Sequence, residues 1–150
     1  MRRRINVEAD IAETSAAEEL QKTFALLLPI RRQRLNRSER QQREQEQALR
    51  RADQQCDTAQ QQLGVCQQHY QQLRDSFANG MRKQEQLQQG LAHERQAGDA
   101  VQGQKRELAH CQQQQTAQQQ RLERAQQETR SRQRDVEKLE YLMQESEALR

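Results

Sequence analysis

The chain has 150 residues, enough for one domain, yet only 32% are apolar and 3% aromatic, with no Trp and a mean hydropathy of -1.34. An ordinary domain is roughly 45–50% apolar, so a large globular core is excluded and the choice lies between an exposed helical structure and disorder. Net charge is +3, with both signs interleaved over 31% of the residues; this permits an anionic partner without arguing strongly for one.

No run approaches the roughly 18 apolar residues of a membrane span. Met1-Arg2-Arg3-Arg4 is basic, but Glu8, Asp10 and Glu13 follow without an apolar run, so the start does not read as a signal peptide. Three cysteines, an odd number at expected core positions, suggest a reducing cytoplasm.

Residues 1–14 carry no clear pattern and are expected to be loose. Ser15 and Glu18 have the capping-box spacing and open a helical run. Ala16, Leu20, Phe24, Leu27 and Leu28 give it an apolar face, and 24–30 is the most hydrophobic patch of the chain. Pro29 removes a backbone donor and disfavours helix at Leu28, so a short helical extension over 15–29 is expected to end or kink there.

Arg31, Arg32, Arg34, Arg37, Arg40 and Arg43 come next. They read either as a solvated face supporting a coiled coil or as a docking surface for an acidic partner.

The organising stretch begins at Leu35. Alternating steps of three and four land on Leu35, Ser38, Gln42, Gln45, Leu49, Ala52, Cys56, Ala59, Leu63, Cys66, Tyr70, Leu73 and Phe77. A 3.5-residue period marks a helix that buries one narrow stripe against another helix. A disordered polar chain has no reason to keep such a seam. The seam is weak, because Ser, Gln and Ala hold several of its positions.

Ala78-Asn79-Gly80 carries turn chemistry. Gly80, Gly90, Gly98 and Gly103 form a glycine-bearing zone. A second seam follows through Leu108, Cys111, Gln115, Gln118, Leu122, Ala125, Thr129, Arg132, Val136, Leu139 and Met143. Two seams around a breaker zone predict an all-α fold: a long antiparallel two-helix coiled-coil hairpin over 30–150 behind the short N-terminal extension. Laying the basic block 31–51 against the acidic block 135–147 places the midpoint near residue 91. Together with Asn79-Gly80, this puts the turn within 78–90. Each arm would be roughly 50–65 residues, about 75–100 Å at 1.5 Å per residue, with the termini together at one end.

Catalysis is not expected: the sequence has no Gly-rich phosphate loop, no triad-like arrangement, and no concave site for one. A turn near residue 88 would set Cys66 across from Cys111, and with His69 and His110 these make a nominal zinc set. His110 and Cys111, however, point about 100° apart on a helix. Core cysteines with solvent-facing histidines are the better reading, with no metal and no cofactor. Nucleic acid is disfavoured, since stacking aromatics are missing and acidic residues interleave with the arginines.

Three parts of the chain carry a resemblance. They are the run Leu26-Leu27-Leu28-Pro29-Ile30-Arg31-Arg32-Gln33-Arg34 before a Gln/Arg/Glu-rich helix, the Tyr70…Leu73…Phe77 end, and the second helix closing Arg134-Asp135-Val136-Glu137-Lys138-Leu139-Glu140. In this order they resemble the FliJ/YscO/HrpO family, central-stalk proteins of flagellar and virulence type III secretion systems. The resemblance covers roughly residues 24–145.

It implies a non-catalytic, cytoplasmic protein peripheral to the inner-membrane secretion apparatus. The end bearing both termini would insert into the hexameric secretion ATPase and promote its assembly and activity. The protein would also link that ATPase to the export gate and to secretion chaperones. The implied ATPase-facing residues are Leu28, Arg31, Arg32, Arg34 and Leu35 on one arm, and Val136, Leu139, Leu142 and Met143 on the other. The implied gate-facing residues are Phe77, Met81, Leu87 and Leu91. The alternative is a self-associating structural coiled coil whose oligomer seam is the apolar patch at 24–30.

Overall fold

In the computed structural model the described residues, 7–78 and 84–148, are helical throughout. Helix α1 spans Val7–Ala78 and helix α2 spans Gln84–Ala148. They pack against each other as an antiparallel helical hairpin. Their contacts fall into two units, Gln45–Leu122 and Met1–Glu44 with Glu123–Arg150.

The seam is where the heptad pattern puts it. From Leu35 to Phe77, and from Leu108 to Met143, each position named above is buried or half-buried while its neighbours are mostly exposed. A 3.5-residue repeat keeps one stripe facing the partner helix, so exposure alternates with it. In the Gln45–Leu122 unit the core is Cys56, Ala59 and Cys111 with Leu108 packed on it, extended by Leu63, Ala97 and Val101. Cross-helix hydrogen bonds here join residues 42, 62 and 73 apart in sequence, the separation growing away from the reversal as antiparallel pairing requires. In the other unit Ser38, Val136 and Leu139 are buried.

Three boundaries differ from the sequence expectation. Pro29 lies inside α1 rather than at the end of a separate extension. Proline in a helix interior costs about 3 kcal/mol by deleting the bond to the carbonyl four residues back. Here both Pro29 and Ala25 are exposed, so water can take the freed carbonyl, while Phe24, Leu27 and Leu28 hold the turn by partial burial. α1 also begins at Val7, which makes 7–14 helical and leaves Ser15 inside the helix rather than at its cap.

The glycine zone, finally, is not a break. Gly90, Gly98 and Gly103 belong to α2 with ordinary helical backbone, and Gly90, Glu94, Ala97, Val101 and Gln104 carry the seam straight through to Leu108. The chain reverses between Ala78 and Gln84; Asn79 and Gly80 lie outside the described residues.

Candidate functional site

The residues that the resemblance assigns to an ATPase-facing surface all lie in the unit that holds the two ends of the chain. Their roles in the packing diverge. Val136 is 6% exposed and Leu139 1%, so both belong to the hairpin's own seam and neither is accessible to a partner. Leu28, Leu35 and Met143 are half-buried on the same seam. Leu142 is exposed at 40%.

The arginines separate in the same way. Arg31 is half-buried, and its Nη1 donates to the backbone carbonyl of Asp135 at 3.0 Å, tying the two helices together. Arg32 makes an exposed ion pair with Glu140, 3.2 Å from Nη2 to Oε1. Such a pair is worth at most about 1 kcal/mol in water, so a competing carboxylate can displace it at little cost. Arg34, Arg37 and Arg40 are exposed.

Apolar side chains on this unit's surface extend the candidate set. Leu26, Ile30 and Tyr141 are exposed at 72%, 46% and 61%. The detectable signal was an apolar residue off the 3.5 period, which packing within the hairpin does not require.

The gate-facing candidates lie in the Gln45–Leu122 unit or beyond the described residues. Phe77 is half-buried with its ring over Gly90. Leu87 and Leu91, one turn apart on α2, are both exposed. Leu91 lines a shallow groove with Tyr70, Glu94, Arg95 and Gly98. Arg74 caps the neighbouring surface, its guanidinium 5.7 Å from the Tyr70 ring centroid and its Nε 3.8 Å from Glu94 Oε1. Met81 lies outside the described residues.

The nominal zinc set does not assemble. Cys111 packs with Cys56 rather than Cys66, because the reversal comes earlier than a turn at residue 88. Among the described residues no group of three or more His, Cys, Asp and Glu side chains is placed to hold a metal ion. All three cysteines are free thiols. Burial raises the Cys56 pKa, with Asp53 and Asp57 adding to it. Burial does the same for Cys111, beside Glu107. Both thiols are thereby kept neutral and unreactive, as core residues rather than nucleophiles.

Polar groups occupy the seam between the apolar layers. Gln118 Nε2 donates to both the side-chain and the backbone oxygen of Gln45. Gln115 donates to Asp53, and Gln104 to Gln62. No buried side-chain polar atom lacks a partner among the described residues. The seam thus trades apolar packing for directional bonds, which specify register at low gain in stability.

No helix among the described residues is long and apolar enough to cross a membrane. No family model, curated protein or solved structure matches this chain.

Proposed function

We propose that this protein is a non-catalytic central stalk of a type III secretion system. In this reading the end carrying residues 26–40 and 134–143 enters the hexameric secretion ATPase, promotes its assembly and turnover, and couples it to the export gate and to secretion chaperones. It works at the cytoplasmic face of the inner-membrane apparatus.

The observation that carries the reading is one surface on the unit that includes both ends of the chain. Exposed Arg34, Arg37 and Arg40 adjoin exposed Leu26 and Ile30 on the side of α1 away from the stripe buried against α2, and exposed Arg32 flanks that stripe on its other edge. Arginines on an exposed helix meet ring carboxylates through many near-equivalent pairs. Such pairs steer association and tolerate rotation better than one deep pocket does. The Gln-rich remainder of the helices offers little for adventitious binding.

Charge reversal of Arg31, Arg32 and Arg34 tests this reading. Because Arg31 also bonds Asp135, Arg32→Glu with Arg34→Glu is the cleaner variant. It should retain full helicity and bind the secretion ATPase at least about tenfold more weakly. Unchanged affinity in a folded variant removes the assignment of this surface.

A further inference from the structure

We propose that α1 carries a second, self-complementary stripe, and that through it two copies of this chain pair reversibly as an antiparallel dimer. The stripe is Ala16, Leu20, Thr23, Leu27, Ile30 and Arg34, reached by alternating fours and threes. It lies about 100° around the helix from the stripe that faces α2. The hairpin leaves it open: Leu20 is 52% exposed and Ile30 46%, with Leu26 at 72% beside them. Only Leu27 is half-buried. A helix needs one apolar stripe to pack on one partner, and a second stripe at heptad spacing is the pattern of a helix with two neighbours.

Charge identifies the second neighbour as another copy. Residues 8–19 hold Glu8, Asp10, Glu13, Glu18 and Glu19 and no basic residue. Residues 31–43 hold six arginines and one Glu, Glu39. The apolar residues of the stripe lie between these blocks, centred on residue 25. Turning one copy end over end about that point sets Leu20 opposite Ile30 and Thr23 opposite Leu27. Glu18 and Arg32 point away from the stripe, and Arg31 bonds Asp135 within its own hairpin. On the stripe's own period the same operation sets exposed Glu13 of each copy opposite exposed Arg37 of the other, twice over, with Arg34 opposite Ala16. This is the self-complementarity that a two-fold interface demands. A parallel pairing would stack like charges along the whole length.

The dimer is weak by construction. Only three stripe positions per copy are large and apolar, and the flanking charges remain solvated, so a dissociation constant on the order of 10–100 µM and strong salt dependence follow. The pairing does not depend on the proposed function. It does engage Arg34, so a copy paired in this way has that end covered.

Sedimentation equilibrium on the full chain, from about 5 to 300 µM to bracket that constant, is the test. One variant carries Glu13→Lys, Glu18→Lys and Glu19→Lys, and the other Arg34→Glu, Arg37→Glu and Arg40→Glu. All six positions are exposed and off the α2 seam, and circular dichroism verifies that each variant is helical. The wild type should dimerise, more weakly at high salt. Each variant alone should associate at least about tenfold more weakly, and their equimolar mixture should recover a heterodimer. A wild type that stays monomeric throughout, or a dimer that persists in both variants, overturns the proposal.

Discussion

The ring of Phe77 fills the space that a Cβ at Gly90 would need: an ideal Cβ there would stand only 2.8 Å from Cε2. The bare backbone at Gly90 of α2 thus serves as the seat for an aromatic on α1. Tyr70 and Gly98 repeat the arrangement more loosely, at 3.4 Å. These contacts explain Gly90 and Gly98, which each cost roughly 1 kcal/mol of helix propensity; Gly103, with nothing within 4 Å of an added Cβ, has no such neighbour.

This seat predicts opposite outcomes for the same substitution at two sites. Gly64 has nothing within 4 Å of an added Cβ, so Gly64→Ala should stabilise by about 0.5–1 kcal/mol. Gly90→Ala should instead destabilise, by about 1–2 kcal/mol, because overpacking against Phe77 outweighs the propensity gain. In a Phe77→Ala background Gly90→Ala should become stabilising. Urea denaturation of the four variants checks the sign reversal.

The Gln45–Gln118 layer sets register at the expense of stability. Replacing both residues by Leu removes a satisfied polar pair and buries two apolar side chains. The double variant should be more stable by about 1–2 kcal/mol. Gln118→Leu alone should gain less, since the Gln45 amide loses its partner. Thermal melts of single and double variants compare the two.

The buried thiols predict an alkaline dependence. Burial raises the Cys56 and Cys111 pKa values above the ordinary 9.0, so the folded state holds protons that the unfolded chain has released. Their contribution is complete below pH 9.0 and is lost as pH rises through the folded values. The wild-type denaturation midpoint should therefore fall more steeply above that pH than the midpoint of Cys56→Ala/Cys111→Ala. Equal slopes would place the thiols outside the linkage.

The seam was legible in the sequence because a coiled coil writes its contacts into a one-dimensional period. Ser38, Gln42 and Gln118 could be placed on it despite being polar, and each is buried or half-buried. The turn chemistry that opens at Ala78 falls where α1 ends, within the expected 78–90, whereas Pro29 and Gly90 break nothing, because helix punctuation is a local propensity and packing overrides it. Pro29 survives where its lost bond faces water, and Gly90 is kept for Phe77. Register was the weakest reading. Broad charge blocks constrain alignment poorly: Arg31 bonds the backbone carbonyl of Asp135 rather than its carboxylate, and the Arg32–Glu140 ion pair is exposed to water. The candidate surface was half legible. The arginines stand out by density, and the 3.5 period itself puts Val136 and Leu139 on the seam and leaves Leu26 and Tyr141 off it; the resemblance alone assigns the two seam residues to a partner, and their burial within the hairpin overrides that assignment.

The stalk reading is tested most directly by ATP turnover of the secretion ATPase from the same organism, titrated with this protein at low micromolar concentration. The account predicts a saturable rise in rate, accompanied by a shift of the ATPase to hexamer. No change in rate or assembly, with the added protein verified as folded helix, would contradict it and leave a structural coiled coil as the better description.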